Sequence, residues 1–202
     1  MASSDNSSPN SLGYELLATL RTVAEVLQRR NIRYALIGGL AVAVRGRVRT
    51  TQDIDWLMSI SQLALPGLLD DLVAEGFPIE MSAAIQRWNY EGLMPLWSGT
   101  GVRIDFMKAI LPVFDSILQR ASEENFQGLK LRVIDVEGLM LLKLIAFRQQ
   151  DQIDLRALLA ANNGRIDLAW VRHEWSQLSG LDPSRSAQFE AMVQEFTNRP
   201  PA

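Results

Sequence analysis

Apolar residues recur at helical spacing near the start of the chain. Leu16, Leu17, Leu20, Val23, Ala24 and Leu27 form one stripe, which predicts a helix from about Leu12 to Arg30, capped by Ser11 and ended by Asn31. Tyr34 to Ile37 reads as a short strand, broken by Gly38-Gly39, and Leu40 to Val44 as a short helix. Arg45 to Gln52 is polar, contains Gly46 and reads as a loop. Ile54 to Met58 is the next strand, with Asp53 and Asp55 at its start. Leu63 to Ala74 suits a helix that starts late because of Pro66 and Gly67, with Gly76 closing it. Strand-like runs follow near Phe77–Met81, Tyr90–Trp97 and Val102–Met107. The turn cluster Ser98-Gly99-Thr100-Gly101 would join the last two into a hairpin.

Beyond Pro112 the pattern becomes mostly helical. Val113 to Ala121 is expected to be a helix and Leu129 to Ile134 a strand. Helices are expected over Val136–Gln150, Ile153–Ala161, Leu168–Leu178 and Ser184–Phe196. This predicts an α/β (α+β) fold, a mixed sheet flanked by helices, with a C-terminal helical region. Residues 1–11 are expected to be a disordered tail, 12–134 the α/β core, and 135–202 a helical region packed on it.

Composition narrows the chemistry. The chain has 202 residues and is 48 % apolar, enough for a packed core. Its net charge of −3 gives no global attraction to nucleic acid. With no cysteine and a single histidine, His173, thiol catalysis and Cys- or His-rich metal sites are excluded. The N-terminal residues lack the basic start and apolar run of a signal peptide, and no stretch reaches the roughly 20 apolar residues of a membrane span. A cytoplasmic protein without a membrane partner is expected.

The candidate chemistry is carried by acids. On a strand, Asp53 and Asp55 project to one side while Ile54 turns to the other. Two close carboxylates repel, so without a cation one tends to hold a proton. A divalent ion removes that cost, and an oxygen-only donor set favours magnesium, with manganese as the alternative. In Val102–Phe106, Asp105 shares a face with Arg103, opposite the apolar residues. If this strand lies beside the Asp53–Asp55 strand, Asp105 completes a three-acid cluster able to hold two metals about 3.5–4 Å apart. Gly38-Gly39, ending a strand and opening a helix, offers backbone amides to phosphate oxygens.

The stretch from Ile37 to Asp55, with Asp105 downstream, resembles the Gly-Gly … Asp-x-Asp signature of the DNA polymerase β-like nucleotidyltransferase superfamily. Arg49-Thr50-Thr51-Gln52-Asp53-Ile54-Asp55 is similar to the AbiEii-type and related minimal nucleotidyltransferases, some of which are toxins of toxin–antitoxin pairs. Lys143, Arg148 and the run from Asp151 to Asp154 resemble that group's downstream lysine and aspartate. Many superfamily members carry Gly-Ser where this chain has Gly38-Gly39.

The resemblance implies transfer of NMP from an NTP to an acceptor hydroxyl. Asp53, Asp55 and Asp105 would be metal ligands and catalytic. Gly38, Gly39, Arg49, Thr51, Lys143 and Arg148 would bind the nucleotide. Asp154 would orient Lys143 or accept a proton. It also implies a tRNA end as acceptor and an antitoxin protein as partner. The alternatives are a small-molecule or protein acceptor, or a non-catalytic binding module of the same fold. Lys143 and Asp154, eleven residues apart, would share a face if their helix is continuous. Arg45, Arg47 and Arg49 are either a solvated loop or phosphate contacts, and Trp88, Trp97, Trp170 and Trp175 either packing residues or stacking platforms.

Overall fold

The computed structural model describes residues 9–46, 51–178 and 182–197. The strands are β1 (Arg33–Ile37), β2 (Asp53–Ser59), β3 (Leu93–Trp97), β4 (Arg103–Lys108), β5 (Ser122–Phe126) and β6 (Leu129–Val133). The helices are α1 (Pro9–Arg29), α2 (Gly38–Arg45), α3 (Leu65–Ala74), α4 (Met81–Tyr90), α5 (Pro112–Arg120), α6 (Val136–Ala146), α7 (Gln149–Ala161), α8 (Leu168–Ser176) and α9 (Pro183–Thr197).

The strands form one mixed sheet in the order β3-β4-β2-β1-β6-β5. β2 runs parallel to β4 and β1 parallel to β6, while β1–β2, β3–β4 and β5–β6 are antiparallel. Alternation along the central strands separates two faces. One carries Tyr34, Ile54, Trp56, Ile104 and Phe106, all buried, with Tyr34 edge-on to Trp56 at 5.3 Å between ring centres. The other carries the acids. Among the described residues, no helix is long and apolar enough to cross a membrane.

Several expectations are corrected. α1 begins at Pro9, so Ser11 lies inside the helix rather than capping it, and residues 9–11 do not belong to a tail; proline is tolerated in a first turn, where its missing N–H has no partner to lose. The expected strand at Phe77–Met81 is irregular chain up to Glu80, after which α4 begins, and the strand expected from Tyr90 starts only at Leu93 because α4 runs through Tyr90. The Glu80 carboxylate caps this helix by accepting from the amides of Ser82 at 3.1 Å and Ala83 at 2.6 Å, and Ala84 and Trp88, four residues apart, face the core. The polar strand β5 was not expected. It is an edge strand with no apolar alternation, joined to β6 by Gln127-Gly128, both at positive φ.

The expected helix through Gln150 stops at Ala146, because Phe147 adopts a left-handed conformation at φ 50°. The helical region nonetheless packs on the sheet half. β6 feeds directly into α6, and the Asn162 side chain donates to the Arg45 carbonyl at 3.0 Å.

Candidate active site

Asp53 and Asp55 stand on β2 and Asp105 on β4. The parallel register places Asp55 directly opposite Asp105, and Asp53 opposite Arg103. Burial of Ile54, Ile104 and Phe106 leaves the acids on the opposite face. Their carboxylate oxygens lie within 4.8 Å of one another, so the three predicted acids do converge.

The cluster is electrostatically costly. Burial first, then the charges of Asp53 and Asp105, push the Asp55 carboxyl up to about 6; Lys143 and the Gly39 amide offset this only in part. An all-oxygen donor set whose negative charge is only partly compensated fits a hard divalent cation. Thr51 Oγ1 hydrogen-bonds the Asp53 carboxylate. Arg103 grips both oxygens of Asp105, through Nε at 3.1 Å and a terminal nitrogen at 3.0 Å.

Gly38 has φ +65°, and a Cβ built there would lie 1.8 Å from Asp55 Oδ2. The Gly39 amide hydrogen-bonds the Asp55 carboxylate. One reason for glycine at this strand end is thus the acid behind it: the backbone must pass over the Asp55 side chain without one of its own.

Lys143 reaches the same cavity from α6. Its Nζ lies 2.8 Å from Asp151 and 2.9 Å from Asp154, and the three side chains are almost wholly buried. The expected proximity of Lys143 and Asp154 therefore holds, but across the break at Phe147 rather than along a continuous helix. Asp151, which belongs to the run resembling the family's downstream acids but has no assigned role there, is the second partner of Lys143. It also accepts from the backbone amide of Arg148 at 3.0 Å and from its Nε at 2.9 Å, closing a capping box. Burial pushes the Asp151 carboxyl up, but the bonds from Lys143 and Arg148 outweigh it and hold the group below its usual range. The signal available was an acid three residues into a helix start.

Arg45 belongs to packing. It donates to the carbonyls of Ile134 at 2.7 Å and Val133 at 3.0 Å and pairs with Glu124 at 2.6 Å, tying α2 to β5 and β6. Arg47 and Arg49 lie outside the described residues. Trp88 and Trp175 are buried, and Trp170 lies under the Arg120 guanidinium at 4.2 Å.

Ile37, Gly38, Asp53, Asp55, Asp105, Lys143 and Arg148 line one cavity of about 520 Å³. Residues 16–180 match the model of a family described as "Nucleotidyl transferase of unknown function (DUF2204)". The chain belongs to this DUF2204 family. It is thus a nucleotidyltransferase, and the acid-lined cavity is the candidate active site of a DUF2204 protein. No protein of curated function matches it in sequence.

Among solved structures, the antibiotic-resistance factor ANT(2'')-Ia aligns over 90 % of this chain and 98 % of its own, with 15 % identity and a TM-score of 0.56, a similarity of fold. An antigenic nucleotidyltransferase-like protein from Paracoccidioides brasiliensis aligns over 86 % of this chain and 91 % of its own, at 19 % identity and a TM-score of 0.49. The lincomycin-bound lincosamide antibiotic adenylyltransferase LnuA aligns over 73 % of this chain and 96 % of its own, at 19 % identity and a TM-score of 0.49.

Proposed function

We propose that this DUF2204 protein transfers NMP from an NTP to an acceptor hydroxyl and releases pyrophosphate. The observation that carries the reading is the meeting of Asp53, Asp55 and Asp105 in the cavity that Lys143 and Arg148 also enter. The acceptor oxygen forms a bond to the α-phosphorus, the bond to the pyrophosphate oxygen breaks, and Asp105 helps take up the acceptor proton. Asp53, Asp55 and Asp105 would hold divalent cations, magnesium or manganese. Bound there, such ions neutralise triphosphate charge and make an attacking hydroxyl easier to deprotonate.

The protein's own groups divide the remaining work. Lys143, held between Asp151 and Asp154, is pre-positioned to meet negative charge on the leaving pyrophosphate. Arg148 is tethered to Asp151 only at its Nε and is largely exposed, so its outer nitrogens are available to phosphate. Gly38, at the start of α2, lets Asp55 keep its place beside the other two acids. Catalysis of this kind is chiefly positioning and charge stabilisation.

The test is transfer of label from α-³²P-NTP with magnesium. Wild type should release pyrophosphate and label an acceptor. Asp53→Asn should lower the rate by about a hundred- to a thousand-fold, the scale of losing a principal transition-state contact. Equal rates in the two proteins would refute the assignment.

A further inference from the structure

We propose that the acceptor lies on the exposed apolar strip of the edge strand β3, and that it is an uncharged, hydroxyl-bearing small molecule with an aromatic or apolar face. This rests on the nucleotidyl-transfer reading above and deepens it.

The antiparallel register pairs Leu93 with Met107, Pro95 with Asp105 and Trp97 with Arg103. Cross-strand partners share a face. Leu93, Pro95 and Trp97 therefore run along the acid face, with Pro95 directly beside Asp105. Their neighbours Met94 and Leu96 are buried beneath the other face, so β3 is anchored without them. Leu93 nonetheless remains 38 % and Trp97 48 % exposed. A solvated sheet face normally alternates to polar residues. Pro95 has an edge-strand explanation, since it blocks further pairing. Leu93 and Trp97 have none in the packing, and Leu93 and Met107 line the acid cavity itself.

Direction of attack assigns the occupant. Across the sheet the order is β1, β2, β4, β3. Gly38 follows β1, and Lys143 and Arg148 enter the cavity from α6 and the start of α7, so the anion-binding groups lie away from β3. Attacking and leaving oxygens lie roughly in line in phosphoryl transfer. With pyrophosphate departing toward Lys143 and Arg148, the attacking hydroxyl approaches over Asp105 from the β3 side.

The surface chemistry then sets the class. No side chain of the strip is charged, and the cation beside it, Arg103, stands against Asp105, whose charge offsets its own. A phosphate backbone gains little on such a surface, whereas a ring gains burial against Leu93 in the cavity and stacking on Trp97, which lies outside the lining beside Arg103.

The test supplies α-³²P-ATP and magnesium with three acceptor pools: uncharged aromatic alcohols of one to three rings, glycerol at equal hydroxyl concentration, and total tRNA. Labelling of the aromatic alcohols should exceed that of glycerol at least ten-fold. In Trp97→Ala and Leu93→Asp, the KM for the best aromatic alcohol should rise at least ten-fold, with the KM for ATP within two-fold. Leu63→Asp, which alters an exposed leucine outside the cavity, should change neither constant. Saturation-transfer NMR in the absence of ATP should show contact with that alcohol in wild type and its loss in Trp97→Ala. Labelling of tRNA instead, aromatic alcohols no better than glycerol, or an unchanged KM in both strip variants would overturn the proposal while leaving nucleotidyl transfer intact. Absence of pyrophosphate release with every acceptor and with each of the four NTPs in place of ATP would overturn the underlying reading as well.

Discussion

A Cβ on Gly38 would stand 1.8 Å from Oδ2 of Asp55, well inside van der Waals contact, on a backbone already at φ +65°. Sequence and site are coupled at this point: the glycine that ends β1 is the space into which the β2 carboxylate fits. Gly38→Ala must either rotate Asp55 away from its companions or move α2. We expect a fall in transfer rate of at least about a hundred-fold, as for misplacement of a reacting group by roughly 1 Å. We also expect a lower melting temperature, from the clash and from a left-handed backbone without glycine. Full activity in Gly38→Ala would show that the Asp55 position is dispensable. Melting curves together with initial rates distinguish these outcomes.

The Asp55 carboxyl, pushed up to about 6 from an ordinary 3.8, carries a stability consequence of definite sign. Its folded value lies above its unfolded value, so the native state favours the protonated form. The penalty is absent below about pH 4, grows between pH 4 and 6, and is complete above pH 6. A shift of this size corresponds to about 3 kcal/mol. In metal-free buffer at pH 7.5, Asp55→Asn should therefore melt higher than wild type, with the gap closing toward pH 4. Magnesium should raise the melting temperature of wild type more than that of the variant. A variant that melts lower at pH 7.5 would contradict the electrostatic account.

Lys143 illustrates how a buried charge is held. Removing it leaves two almost wholly buried acids without their ammonium, Asp151 keeping only Arg148 as a cationic partner and Asp154 keeping the Gln150 amide. Lys143→Met is expected to cost roughly 3–5 kcal/mol, the usual range for a broken buried pair. Lys143→Met/Asp154→Asn should recover part of that loss, because one of the two charges that lost the ammonium is gone. Denaturant titration reads both. A double variant less stable than the single one by the full effect of Asp154→Asn alone would show that the acids do not depend on the lysine.

Much of this site was legible in the chain, for reasons tied to particular residues. Period-two alternation around Ile54 and Ile104 assigns Asp53, Asp55 and Asp105 their faces, and two adjacent acids signal a cation. Adjacency of β2 and β4 was not readable from pattern, since a parallel pair is made by a crossover that local sequence does not encode. On a continuous helix Asp154 would share the face of Lys143 and Asp151 would not, so the pairing of Lys143 with both acids is not legible from spacing. The left-handed Phe147 that brings both acids to Lys143 has no glycine to announce it. Glu80 is not a residue type that announces a helix cap, so the apolar residues flanking α4 read as strands in the sequence. Arg45 looked like a loop cation, although its partners, the carbonyls of Val133 and Ile134, lie about ninety residues downstream.

The central claim is that three carboxylates act together as one cation site, and equilibrium binding of Mn²⁺ tests it most directly. Titration of wild type, Asp53→Ala and Asp105→Asn, followed by electron paramagnetic resonance of the free ion, requires no knowledge of the acceptor. Wild type should bind Mn²⁺, and each variant should bind at least ten-fold more weakly, the lower end of what even indirect supporting groups contribute to metal sites. Binding of equal strength by all three proteins would contradict the account.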